Sequence, residues 1–306
     1  MLVMGAQDAV NLLRFFDDLP DPRSNVNRLH RLGDVIVIAI CAVIANADGP
    51  TAIAQWAKLN EAWLRRHLAL PSGIPGKDTF RRVLGLLPPA TFQQCFQRWL
   101  QTLQMSADEE SENPRHIAID GKRLRRSHDR QHGLGPMHIV SAWASDFGIT
   151  LGQVATEEKC NAITAIPQLL ELIDVEDAIV TIDAAGCQKT IAAKIVQGQG
   201  DYVLALKGNQ EKLLHDVEFL MLGPLQDDGT SGPVSRYVEV EQGHGRLEAR
   251  TYYQMTAPSY LHGRSEWKGL KTIGAAVRVY EEKGIEKQDV RYYISSLRRN
   301  GRRFAQ

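Results

Sequence analysis

The chain has 306 residues, 43% of them hydrophobic, with 36 lysines and arginines against 36 aspartates and glutamates. That length suits two or three domains, and the apolar content supports real cores. A net charge of zero does not advertise a nucleic-acid binder, and no apolar run reaches the length of a membrane helix.

The N-terminus lacks the basic-then-apolar plan of a secretory signal, so a cytoplasmic protein is expected. Residues 11–16 make a short amphipathic turn, broken at Asp17-Asp18-Leu19-Pro20-Asp21-Pro22-Arg23. Asp34 is placed to cap the apolar helix from Val35 to Ala45, which ends in Asn46-Ala47-Asp48-Gly49-Pro50. Ile53, Trp56, Ala57, Leu59, Trp63 and Leu64 fall near helical spacing within 51–70. A helix starting at Asp78 or Thr79 stops at Pro88-Pro89, and the next runs through Phe92, Phe96, Trp99 and Leu100. These aromatics lie on apolar faces and read as core rather than as stacking platforms. An all-α domain over 1–104 and an acidic linker over 105–114 follow from this pattern.

The remainder, 115–306, alternates strand and helix. Strands are expected at 116–120, 137–144 and 149–156, a helix at 163–173, a strand at 178–183, a helix at 187–197, a strand at 201–206 and a helix at 210–221. Segments 236–241, 247–255, 271–280 and 288–296 then read as an antiparallel β insertion within about 223–297. The fold class is α/β: a mixed sheet on the ribonuclease H-like plan, in which the first and fourth strands lie side by side.

Those two strands read as buried on both faces, and each ends in an aspartate: Ile117-Ala118-Ile119-Asp120-Gly121 and Ile179-Val180-Thr181-Ile182-Asp183. Ligands gather at such strand tips in sheets mixed with helices. Two carboxylates at neighbouring tips repel unless a cation lies between them, and all-oxygen ligands suit Mg²⁺ or Mn²⁺. Two such ions roughly 3.5–4 Å apart serve phosphoryl transfer. The bland alternative makes each aspartate the cap of a turn. Lys122-Arg123-Leu124-Arg125-Arg126 follows the first aspartate directly, where a basic run is either a solvated face or a grip on a phosphate backbone. Cys41, Cys95, Cys160 and Cys187 have no paired spacing and read as small buried hydrophobes. His116, His128, His132 and His138 fit no zinc pattern and read as surface or turn residues.

Further blocks are Val140-Ser141-Ala142-Trp143, Glu158-Lys159-Cys160-Asn161, Thr181-Ile182-Asp183-Ala184-Ala185-Gly186-Cys187-Gln188, Tyr202-Val203-Leu204-Ala205-Leu206-Lys207-Gly208-Asn209-Gln210 and Gly245-Arg246-Leu247-Glu248-Ala249-Arg250. With Ile119-Asp120-Gly121-Lys122 and Gly73-Ile74-Pro75-Gly76-Lys77-Asp78, this ordered set resembles the ISAs-type, or H-repeat-associated, insertion-sequence transposases of the DDE class. The resemblance runs along nearly the whole chain. It implies a DNA transposase with a carboxylate triad and Mg²⁺ or Mn²⁺, acting on insertion-sequence terminal repeats and target DNA as a homo-oligomer. Asp120 and Asp183 match the first two acids and would hold the metal. Glu248 is the in-chain candidate for the third, although it sits on an expected insertion strand, where a structural or DNA-contacting role is the alternative. The helix that carries the family's last acid is not matched before Gln306, so the chain resembles a C-terminally shortened copy. Lys122, Arg123, Arg125, Arg126, Lys207, Asn209 and Arg246 are the expected DNA contacts, with Asn209 alternatively a helix N-cap. The rival functions are a catalytically inactive DNA-binding remnant that regulates transposition and a stand-alone metal-dependent nuclease.

Overall fold

The computed structural model describes residues 12–24, 26, 28–108, 115–124, 127, 137–146, 148–156, 162–230, 232–243, 246–282 and 285–305. The chain divides into two compact units, 1–111 and 112–306.

The first unit holds helices α1 (Leu32–Ile44), α2 (Pro50–Leu59), α3 (Glu61–Leu64), α4 (Lys77–Leu86) and α5 (Pro89–Asp108). Phe80, Trp99, Leu100 and the α1 side chains Val35 to Ile38 are buried, while Trp56 and Trp63 meet edge-on at 6.4 Å and are only half-buried. The helix expected over 51–70 breaks at Asn60. Its side-chain amide donates to the Trp56 carbonyl at 2.8 Å, so it competes with the helix ladder from within. Asp34 does not cap α1. Arg31 occupies the cap position, and the Asp34 carboxylate, buried inside the first turn, accepts the Leu70 N–H at 3.2 Å. A buried loop N–H needs an acceptor more than an exposed helix end does. Burial pushes the Asp34 pKa upward. Helix α5 also runs on through residue 108, past the expected end of its domain at 104.

The second unit is built on one nine-stranded sheet. Its strands are β1 (His116–Arg123), β2 (His138–Ala144), β3 (Ile149–Thr156), β4 (Ile179–Ile182), β5 (Asp201–Leu206), β6 (Val234–Gly243), β7 (Arg246–Thr256), β8 (Thr272–Glu282) and β9 (Ile285–Ser295). They lie in the order β3-β2-β1-β4-β5-β9-β8-β7-β6. Strands β1, β4 and β5 are parallel, and every other neighbouring pair is antiparallel. The four C-terminal strands are therefore joined edge to edge with the central strands through β9 on β5.

Helices α6 (Ala162–Leu172), α7 (Lys189–Gln197) and α8 (Glu211–Gln226) cover one face. Ile166, Leu169, Ile191, Ile195, Leu213 and Val217 share a buried cluster with Ile117, Ile119, Val180, Ile182 and Leu204. Strand alternation puts exactly these odd β1 and even β4 positions on the helix side, and each fully buried aliphatic side chain contributes about 1.5–3 kcal/mol. The other face is covered less completely. Ile179 and Val203 pack there with Leu297 and Phe304, the latter from the short helix α9 (Gly301–Ala305). The Phe304 ring meets Tyr252 and Tyr293 edge-on, at 6.3 and 5.7 Å. Glycine at 274 makes this possible, because a Cβ there would lie 2.6 Å from the Phe304 ring. Strand β1 is thus not buried on both faces as its sequence suggests: Ile117 and Ile119 are buried, His116 and Ala118 half-buried.

Where α7 turns into β5, a Cβ on Gly200 would lie 2.6 Å from the Val175 carbonyl oxygen. Backbone cannot step aside as a side chain can. Gly200→Ala is expected to cost about 1–3 kcal/mol, read as a lower urea midpoint with an unchanged slope.

Candidate active site

Strand β1 pairs in parallel with β4, with Ile119 opposite Ile182, so the next residues of both strands, Asp120 and Asp183, come level at adjacent positions. Neighbouring strands run roughly 4.8 Å apart. Alternation directs both carboxylates away from the helix-covered face, onto the side where Ile179, Val203 and Phe304 pack. Both aspartates are exposed. Among the described residues, the Asp120 carboxylate has no hydrogen-bond or ion-pair partner.

The two strands end differently. Strand β4 stops at Ile182, and Asp183 caps the 3-10 turn Ala184–Gly186 by accepting the Ala185 N–H on Oδ1 at 3.1 Å. The capping role and an outward-facing carboxylate oxygen therefore coexist in one residue. Strand β1 does not stop at Asp120 as its sequence suggests. It runs on to Arg123 because its β2 edge stays paired, Gly121 with Val140, Lys122 with Ile139 and Arg123 with His138. Asp120 is thus inside a strand on one edge and at a tip on the other.

A second loop braces the Asp183 turn. The Asn209 amide donates to the Ala184 carbonyl at 2.7 Å, and the Gln210 amide to the Cys187 carbonyl at 3.0 Å. Asn209 is therefore not the N-cap of α8, which is Gln210, and no side-chain cap bond is made there. On the helix side, Gly186 fits against Ile182 and Ile166, where a Cβ would lie 2.3 and 2.7 Å from their side chains. Removing the Asn209 brace with Asn209→Leu is expected to speed amide exchange at Ala185 and Cys187 by about fivefold or more. That is the loss of one net hydrogen bond of about 1 kcal/mol, measurable by hydrogen exchange with mass spectrometry.

Of the expected DNA contacts, Lys122, Arg123 and Lys207 are exposed at the ends of β1 and β5 beside the aspartates. Lys122 shares the Asp120 face by alternation. Arg125 and Arg126 lie outside the described residues, as do Cys160, His128 and His132. Arg246 opens β7, and nothing of its side chain is described. His116 is half-buried in β1 rather than in a turn, and burial lowers its pKa. Cys41, Cys95 and Cys187 are free and buried. Burial pushes the Cys41 thiol up to about 11 and the Cys187 thiol up to about 12.

Glu248 is not brought to the two aspartates. It sits in β7, four strands from β4 and five from β1, hence roughly 19–24 Å away laterally at ordinary strand spacing. Its row continues through Tyr280 and Lys287, beyond the tip of β5 at Leu206 opposite Tyr292. Its carboxylate is bound by Arg250 Nη2 at 2.7 Å and by Arg278 Nη2 at 2.5 Å. The Arg278 and Arg250 guanidiniums hold its pKa down at about 2. Among the described residues no group of three His, Cys, Asp or Glu side chains could hold a metal ion. The donor set at the strand tips is nonetheless the right kind: two exposed carboxylates, level with one another and facing one way.

Adjacent acidic tips in a mixed α/β sheet define a candidate phosphoryl-transfer enzyme, and the comparisons with known proteins place it. The family described as "Transposase DDE domain" matches residues 111–296, and "DDE_Tnp_1-associated" matches residues 13–100. The chain belongs to the DDE transposase family, with DNA as the partner that membership implies. It is 37% identical over 299 residues to "H repeat-associated putative transposase YhhI" of Escherichia coli K12, covering 96% of this chain and 77% of that one. It is 38% identical to "Putative transposase YncI" of Escherichia coli O157:H7, covering 96% and 75%. A Xanthobacter autotrophicus protein, "Uncharacterized protein in dhlA 3'region", is 37% identical over 92% of this chain and 93% of its own length. No described helix is long and apolar enough to cross a membrane.

Proposed function

We propose that this protein is a cytoplasmic DNA transposase that cuts and joins insertion-sequence ends by metal-dependent phosphoryl transfer. The observation that carries the reading is the level pairing of Asp120 and Asp183 on one face of the sheet, both exposed and neither ion-paired among the described residues. The strand order β3-β2-β1-β4-β5, with only β1, β4 and β5 parallel, supports a ribonuclease H-like core, and the helices of the first unit support an all-α N-terminal domain.

Asp120 and Asp183 would hold Mg²⁺ or Mn²⁺. When bound, the cation activates the attacking oxygen and stabilises the leaving one. The residues themselves set orientation. Asp183 keeps one oxygen on the Ala185 N–H, which fixes the carboxylate plane, while Asn209 and Gln210 hold the turn beneath it. Lys122 and Lys207 flank the tips and would attract the phosphodiester backbone. Lys122, Arg123, Arg125, Arg126, Lys207, Asn209 and Arg246 form the proposed DNA contacts, and a homo-oligomer would pair the two element ends. Asn209 also steadies the Asp183 turn through its bond to the Ala184 carbonyl.

The test is direct. Mn²⁺ binding by the protein alone, followed by electron paramagnetic resonance, should fall by about tenfold or more in Asp183→Ala. Labelled element-end DNA should be nicked and then joined to a target when Mg²⁺ is added. Unchanged Mn²⁺ binding in that variant overturns the assignment of the metal ligands. A second reading, an inactive DNA-binding remnant, is favoured by the distance of Glu248 from the aspartates. It predicts salt-dependent binding of end DNA with no cleavage at any Mg²⁺ concentration.

A further inference from the structure

The four-stranded extension carries an arginine-lined feature on the same face as the aspartates. A cleft of about 340 Å³ is lined by Arg250, Tyr252, Ala276, Arg278, Arg291 and Tyr293, with Asp289 and Val277 completing it. The register shows that it is continuous with the aspartate site. The row of Asp120 and Asp183 passes through Ala205 of β5 to Tyr293 of β9. One pleat further along β9 lies Arg291, opposite Ala276, which is opposite Tyr252. The next row joins Asp289, Arg278 and Arg250. Arg291 is thus two strands and one pleat from Asp183, roughly 12 Å at ordinary strand and residue spacings.

Arg250 and Arg278 face each other directly across β7 and β8. Like charges so placed oppose pairing, and Glu248 offsets this by binding both. Arg278 also stacks on the Tyr280 ring, its Cζ 4.6 Å from the centroid. The guanidiniums are therefore held in fixed directions before any ligand arrives. Glu248 does not exhaust the five N–H donors of Arg278, whose Nε is buried with no hydrogen-bond partner among the described residues. Arg250, Arg278 and Arg291 line the cleft beside Asp289, with Glu248 on two of them and Glu239 across from Arg250 on the same face, so the cleft offers directed N–H donors rather than a large net charge.

We propose that this cleft seats the phosphodiester backbone of a nucleic-acid strand whose reacting phosphate lies over Asp120 and Asp183. The inference rests on the proposed function and extends it to a grip formed by Arg250, Arg278 and Arg291. Fixed guanidinium forks match phosphate geometry, and the half-buried Tyr252 and Tyr293 form part of the cleft lining beside them. The lining contains no base-reading pattern of side chains in a groove-shaped element, so binding is through the backbone and independent of sequence.

The test uses the full chain and a fluorescein-labelled 30-base-pair duplex of arbitrary sequence, titrated by anisotropy in EDTA buffer across a range of KCl. Arg291→Ala, Arg278→Gln and Arg250→Gln should each weaken binding about tenfold near 0.1 M salt, with the log–log salt slope falling by about one. Arg291 is exposed, so its variant should melt as the parent does. Parental affinity and slope in a folded Arg291→Ala together with a folded Arg278→Gln overturn the inference, as does a parent chain that binds no duplex. Mn²⁺ binding to the protein without DNA reads the aspartates alone, so loss of the grip and loss of the metal site are told apart.

Discussion

Replacing Asp120 with alanine is expected to remove metal-dependent nicking of element-end DNA, by about a thousandfold or more, while leaving the fold intact. The size follows from the several kcal/mol that a metal ion contributes at a phosphoryl centre, at about 1.4 kcal/mol for each factor of ten. The selectivity follows from the surroundings of the residue. Asp120 is exposed, and among the described residues its carboxylate binds nothing, so its loss removes only repulsion from Asp183. Surface changes of that kind stay within about 0.5 kcal/mol. The expected record is an unchanged melting curve, unchanged or slightly tighter DNA binding, and no nicked product on a denaturing gel. Undiminished nicking by a pure Asp120→Ala sample would sink the assignment.

Glu248→Gln should give the opposite record. The neutral amide removes the one carboxylate that binds both Arg250 and Arg278, so the fold loses stability and the cleft gains positive potential. Duplex binding should tighten severalfold and depend more steeply on salt, while nicking persists. The acid response adds an independent readout. The Glu248 carboxyl is held down from 4.5 to about 2 by Arg278 and then Arg250. A depressed carboxyl stabilises the fold fully above its unfolded value, and that stabilisation is lost as pH falls through the folded one. The parent should therefore lose stability between about pH 4.5 and 2, and the variant should show a shallower loss in that window. Abolished nicking with duplex binding intact would instead make Glu248 the third acid.

The parts of this molecule that were legible from sequence are those written in local patterns. Strand β5, residues 201–206, and strand β3, residues 149–156, fall where apolar alternation puts them, and the four insertion strands agree to within a few residues. Asp120 and Asp183 stand out because each ends an apolar run. The features that escaped depend on partners distant in sequence. Asp34 has the local appearance of a cap, but Leu70 claims its carboxylate. Strand β1 continues past Asp120 only because β2 supplies a paired edge. Asn209 has the look of a helix cap, but its amide braces Ala184. Glu248 looks like a lone acid flanked by Arg246 and Arg250, whereas Arg278, thirty residues away, gives half of its ion pair. The three arginines of the cleft belong to three strands and meet only once their register is known.

The edge-to-edge joint of β9 on β5 also has a mechanical meaning. A sheet that continues without interruption cannot hinge at that seam, so the extension and the strands bearing the aspartates move as one blade. Adjacent strands rotate by roughly 20–25°, and two steps separate β4 from β9 while four separate β4 from β7. The outward direction at Arg250 is therefore turned by roughly a quarter of a circle from that at Asp183. A polymer touching both ends of this surface must follow a spiral ramp rather than a straight track. Its curvature would be dictated by the handedness of L-amino acids, before any contact to a base is made.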